Sequence, residues 1–149
     1  MDISDYACAC AAENARLNGL ENRVHFETAN VFDLLGDQSR AGIKYDVIIL
    51  DPPAFTKSRS TVEKASRGYK EINLRAMKML NPGGYLITCS CSQHLLPAMF
   101  QQIILDAAGD ARVLLRQVEF RTQGRDHPIL PASPETNYLK CGIHQVFPV

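Results

Sequence analysis

The run YDVIIL at 45–50, halted by Pro52 and Pro53, restricts the fold more than any other feature of the chain. Six nearly all-apolar residues predict a strand covered on both faces. Proline offers no amide to a ladder and fixes its own φ, so the strand has to stop there. Such strands belong to sheets packed between helices. The flanking sequence alternates accordingly. Ser4 or Asp5 can cap a helix reaching about Asn18, with Gly19 as its stop. RVHFET alternates as a short strand over 23–28, and VFDLLG predicts a short helix over 31–36. A long helix follows over 61–80, with Ile72, Ala76, Met79 and Leu80 near helical spacing. NPGG at 81–84 ends it, and YLITCSC is a second buried strand. His94 to Ala108 forms an amphipathic helix, and strands near 112–120 and 137–147 enclose a proline-rich loop. The expectation is one open α/β sheet over 1–149, parallel with an antiparallel strand at its end.

Composition sets outer limits. Of 149 residues, 46% are hydrophobic and 21% charged, ordinary for a globular chain. Lys plus Arg and Asp plus Glu stand at 16 each. A chain gripping a long phosphate backbone by itself carries a basic excess, so an RNA substrate would need a further source of grip. No stretch reaches the ~18 consecutive apolar residues of a membrane helix. The N-terminus has no basic flank leading into an apolar run. Five cysteines, an odd number, predict reduced thiols and a cytoplasmic location.

In open α/β sheets, ligands bind beyond the carboxyl ends of the strands. Two such ends carry chemistry here. Asp51-Pro52-Pro53-Ala54-Phe55 follows YDVIIL directly, a stiff loop presenting carbonyls, one carboxylate and an aromatic face to a planar base. By itself Asp-Pro-Pro also serves as a plain strand terminator. Thr88-Cys89-Ser90-Cys91-Ser92 ends the next strand, and its two cysteines point to opposite faces if both remain extended. Cysteine is a frequent core residue. Opposite a base-binding carboxylate it is instead placed to attack carbon, as a thiolate.

DPPAF, a spacer containing NLRAMKMLNPGGYL, then SCS, DHP at 126–128 and NYLK at 137–140 together resemble the C-terminal part of bacterial 23S ribosomal RNA cytosine-5 methyltransferases. The resemblance spans nearly the whole chain. It implies a class I, Rossmann-like fold dependent on S-adenosylmethionine, present here as a partial catalytic domain. It implies that the Cys91 thiolate attacks C6 of cytosine, making C5 nucleophilic toward a methyl group. Asp51 would bind the base edge, with Pro52, Pro53, Phe55 and Lys57 around the substrate. SCS favours Cys91 as nucleophile, while the TCS triplet at 88–90 keeps Cys89 as the alternative.

On the cofactor side the resemblance implies ribose binding by Asp2, with Ile3, Asn30 and Val31 near the adenine, Phe32 beside them, and Asp51 at the reacting end. Asn30 stands where the family has an aspartate, and on its own it is equally a helix cap. His127 is implied as an active-site neighbour. Lys57, Arg59, Arg67 and Lys70 could meet RNA phosphates, although such a run more often marks a solvated helix face. Cys8 and Cys10, two apart on a helix, do not share a face, so no metal site is expected. Cys141 reads as core.

The family's glycine-rich loop, first strand, first helix, most of its second strand and its upstream RNA-binding domain have no counterpart in these residues. A fragment, a shortened reading frame or a sheet completed by a second copy is expected, with exposed strand edges. Two other functions stay open: an amino-group methyltransferase acting on adenine or guanine through the DPPAF loop, and a non-catalytic remnant.

Overall fold

The computed structural model describes residues 1–56 and 58–149. Along these run α1 (Asp5–Leu17), α2 (Val31–Arg40), β1 (Tyr45–Leu50), α3 (Val62–Met79), β2 (Leu80–Ser90), α4 (Pro97–Ala111), β3 (Val113–Arg121) and β4 (Lys140–Pro148). A 3-10 turn at Arg59–Thr61 leads into α3. The strands form one sheet in the order β1-β2-β4-β3. β1 and β2 are parallel, whereas β4 is antiparallel to both β2 and β3. The expected antiparallel ending is therefore present, but among the described strands it makes up two of the three pairings.

One face of the sheet holds the core. Ile48, Leu50, Leu86 and Val146 point there, under α3 and α4. α3 is a helix for the reason its sequence suggested: Ala65, Tyr69, Ile72, Ala76 and Met79 recur four and three residues apart and are all buried. α4 begins three residues later than expected, because Pro97 takes the first turn, where its missing amide costs nothing. Phe100, Ile103, Ile104, Ala107 and Ala108 are its buried stripe.

The opposite face is largely open. Val47 and Ile49 are 51% and 64% exposed, and Tyr85, Leu114 and Val118 are exposed too. β1 is thus a free edge with one covered face, which corrects the expectation of a strand buried on both sides. Apolar composition records what a strand can bury, while exposure depends on what stands beside it.

Two further expectations change. RVHFET does not form a strand; an isolated parallel bridge from Asp2 to Thr28 is what remains of pairing there. A strand needs a neighbour along its length, and residues 23–26 have none. NPGG does not separate α3 from the strand either. β2 starts at Leu80, and the register against β1 jumps from Tyr45↔Leu80 to Val47↔Tyr85, so the four residues form a bulge. Gly83 adopts φ +81, and a Cβ on Gly84 would stand 2.9 Å from the carbonyl oxygens of both Asn81 and Asp46.

Candidate active site

The carboxyl ends of the parallel strands β1 and β2 lie side by side, since Leu50 pairs with Thr88. The loops leaving them therefore begin as neighbours. After β1, Asp51 is exposed, Pro52 half-buried and Pro53 exposed. Phe55 turns back into the protein, its ring centroid 4.6 Å from that of Tyr69 and 5.9 Å from that of Phe32. Gly68 makes this possible: a Cβ there would come within 3.2 Å of the Phe55 ring. Phe55 supports the loop from below. Buried Thr56 ties the loop to the turn before α3, with its hydroxyl 2.6 Å from that of Thr61 and donating to the carbonyl of Ser58. Lys57 lies outside the described residues.

After β2, Ser90 and Ser92 are fully buried and Cys91 stands between them, half-exposed. The hydroxyl of Tyr69 lies 3.0 Å from the Oγ of both serines, and the Ser92 amide donates to Ser90 Oγ at 3.3 Å. Two buried hydroxyls anchored on one tyrosine fix the turn and leave the cysteine at its outer side. The Cys91 thiol meets the carbonyl oxygen of Pro52 at 4.0 Å. The two strand-end motifs, 39 residues apart, converge at this contact.

Cys89 has the opposite environment. It is a strand residue paired with Cys141 and only 8% exposed. Burial, followed by the Cys141 thiol, pushes its pKa up to about 12. A thiol held that far from ionisation is a poor nucleophile at neutral pH. Cys141 is half-buried beside it rather than fully in the core.

Sequence reasoning overlooked two residues that build the turn. Tyr69 could have been found from its place on the buried stripe of α3. Lys140 is 2% exposed and donates to the carbonyls of Ser92 at 2.7 Å and Tyr138 at 2.8 Å. Its signal was a lysine on the same strand parity as Gly142, His144 and Val146, all buried.

A groove of about 1070 Å³ runs from Met1–Ile3, across the bare edge of β1, to Asp51, Pro52 and Pro53. It exceeds the ~300–1,000 Å³ usual for a small-molecule pocket because it includes the open strand edge. Asp2, Ile3, Asn30, Val31, Phe32, Asp51 and Phe55 all line it. Asp2 is held by a hydrogen bond from the Ser4 amide to Oδ1 at 2.8 Å. Asn30 caps α2, its Oδ1 accepting from the Phe32 amide at 2.9 Å. That oxygen is engaged, and the amide hydrogens remain available. An exposed carboxylate at one end, apolar side chains along the wall and a second carboxylate at the far end fit a nucleoside carrying a charged tail.

The remaining candidates lie elsewhere. Arg67 pairs with Glu63 along α3, and Lys70 pairs with Asp110 of α4 at 2.7 Å, so both serve the helix surface. Arg59 opens the turn before α3. His127 sits exposed beside Asp126 and against the edge of Tyr138. Cys8 approaches the carbonyl of Glu27, and among the described residues no cluster could hold a metal ion. No described helix is long and apolar enough to cross a membrane.

Known proteins resemble this chain in sequence and in fold. The chain is 45% identical over 148 residues to ribosomal RNA large subunit methyltransferase I of Shewanella denitrificans, covering 99% of this chain and 37% of the relative. It is 43% identical over 141 residues to the protein of that name from Erwinia tasmaniensis, covering 94% and 36%. The chain thus spans little more than a third of these relatives' length. Among solved structures, a candidate SAM-dependent methyltransferase from Streptococcus mutans superposes with a TM-score of 0.74 at 19% identity, over 96% of this chain and 36% of that one. NSun6 from Pyrococcus horikoshii gives 0.66 at 19%, over 95% and 39%. These two likenesses are of fold, and they make the sheet Rossmann-like. The model of S-adenosylmethionine-dependent methyltransferases matches residues 1–134, and the chain belongs to that family.

Proposed function

We propose that this chain carries the base-binding and nucleophilic part of an enzyme that methylates C5 of cytosine in large-subunit ribosomal RNA. The observation that carries the reading is the meeting of Cys91 with the Asp51–Phe55 loop at Pro52. S-adenosylmethionine, when bound, supplies an electrophilic methyl group. Asp2, Ile3, Asn30 and Val31 would hold its nucleoside, with Asp51 at the reacting end.

Aromatic cytosine is a weak carbon nucleophile. The Cys91 thiolate adds to C6, breaking the aromaticity and making C5 enamine-like. Asp51 accepts from the N4 amino group and, as the acid, donates a proton to N3, where thiolate addition places negative charge, taking it back when the ring is restored. Pro52 and Pro53 hold the loop stiff, Phe55 supports it, and Lys57 stands next to it in sequence as a phosphate contact. After C5 accepts the methyl group, loss of its proton and departure of the thiolate restore the ring. With equal numbers of acidic and basic residues, most of the grip on RNA comes from outside these 149 residues. The free edge of β1 is covered in the working enzyme by a further strand, from a second copy or from other polypeptide. Sedimentation of the chain with and without RNA separates the two.

The test is transfer of tritiated methyl from S-adenosylmethionine to large-subunit RNA. Cys91→Ala loses at least about a thousandfold in rate, the scale of losing a covalent nucleophile. Cys89→Ala keeps most of the activity. Full activity in Cys91→Ser would favour amino-group methylation instead.

A further inference from the structure

We propose that Lys140 is a positioning residue for Cys91, its buried ammonium fixing the turn that carries the thiol. The proposal deepens the assignment of Cys91 as nucleophile and rests on it.

A lysine almost never becomes fully buried without a partner. Lys140 opens β4 opposite Ser90, the last residue of β2, and its side chain lies on the helix-covered face. Its ammonium donates to two backbone carbonyls, those of Ser92 and Tyr138, and not to a carboxylate. The charge is therefore not cancelled by an ion pair. Burial pushes the lysine below its ordinary pKa, while the neighbouring Cys91 pulls it back up.

The placement explains the serines as well. Ser92 is held from both sides, by Tyr69 at its hydroxyl and by Lys140 at its carbonyl. Cys91 cannot then rotate inward without breaking buried hydrogen bonds. An apolar residue at 140 would leave the Ser92 carbonyl without its donor.

The experiment follows alkylation of each cysteine of the full chain by iodoacetamide at pH 7.5, resolved by peptide mass. In Lys140→Met, which removes the donor to the Ser92 carbonyl, Cys91 should react about tenfold more slowly, the scale of one buried hydrogen bond lost from the turn that presents it. Cys8 and exposed Cys10 should be unchanged, and buried Cys89 should stay protected, reporting an intact fold. Lys140→Arg, which keeps a donor to the turn, should recover most of the loss. Unchanged reactivity of Cys91 in Lys140→Met, or equal loss in Met and Arg variants, overturns the proposal. Should Lys140→Met open the fold, seen as labelling of Cys89, the wild-type chain decides. The ¹⁵Nζ resonance of Lys140 shifts when Cys91 is alkylated, and no shift overturns the proposal. Failure of the nucleophile assignment is separate: Cys91→Ala would retain methyl transfer while Lys140→Met still slowed alkylation.

Discussion

The segment before β1 and the body formed by α3, β2, α4 and β4 are built to different standards. In the body, Tyr69, Leu86, Thr88, Ser90 and Ser92 have no exposed surface. In the leading segment, α1 buries only Ala15, while Tyr6, Leu17 and Ile3 lie exposed. What ties this segment down near its start is an Asp2–Thr28 bridge, with Asp2 accepting from the Ala29 amide at 2.9 Å and donating to the Glu27 carbonyl at 3.2 Å. The two ends of the groove therefore differ in rigidity. The nucleophile and base loop stand on packed strands and Asn30 and Val31 on α2, which packs into the core, whereas Asp2 and Ile3 stand on a thin attachment. Chemistry that depends on geometry to fractions of an ångström belongs on the first.

The sharpest way to break this contrast is in the body. Leu86→Ala should cost about 2–5 kcal/mol of global stability, the usual loss for a buried leucine, read as a lower denaturation midpoint. Tyr69→Phe should cost about 1–3 kcal/mol, because it leaves the hydroxyls of Ser90 and Ser92 buried without their shared partner. It should also slow any reaction at Cys91, which a purely structural tyrosine elsewhere in α3 would not do.

A smaller effect belongs to His144. It is buried, both ring nitrogens lack a partner among the described residues, and burial holds its pKa below the ordinary value. The unfolded chain then binds a proton more readily than the folded one. Stability contributed by neutral His144 is present above the unfolded histidine pKa of ~6.5 and is lost as pH falls from there toward the lower folded value. His144→Leu should flatten that slope in denaturation curves taken between pH 5 and 8.

The smallest global effect should come from the leading segment. Ser4 caps α1 by accepting from the Ala7 amide at 3.2 Å. Ser4→Ala should weaken α1 by about 1 kcal/mol. Hydrogen exchange in α1 should speed up while exchange in β2 and the global midpoint stay put. Equal acceleration in both would mean that the two regions fold as one unit.

The same contrast explains what the sequence revealed. α1, α3, the end of β1 and the SCS turn were legible because capping residues, helical spacing and prolines act locally. RVHFET, NPGG and the bare face of β1 were misread because pairing, bulges and exposure depend on distant strands. Groove residues Asp2, Asn30, Asp51 and Phe55 were found through the resemblance, yet Asn30 also proved to be a cap. Tyr69 and Lys140 escaped notice because their roles exist only once α3, β2 and β4 are packed together.

The measurement that bears most directly on the central claim is adduct trapping with large-subunit RNA containing 5-fluorocytosine, in the presence of S-adenosylmethionine. Fluorine at C5 leaves no proton to lose after methyl transfer, so a cysteine joined to C6 cannot depart. The account predicts a stable protein–RNA adduct whose mass maps to the peptide modified at Cys91 and which is absent in Cys91→Ala. An adduct at Cys89, or methylated RNA formed with no adduct at all, would contradict it.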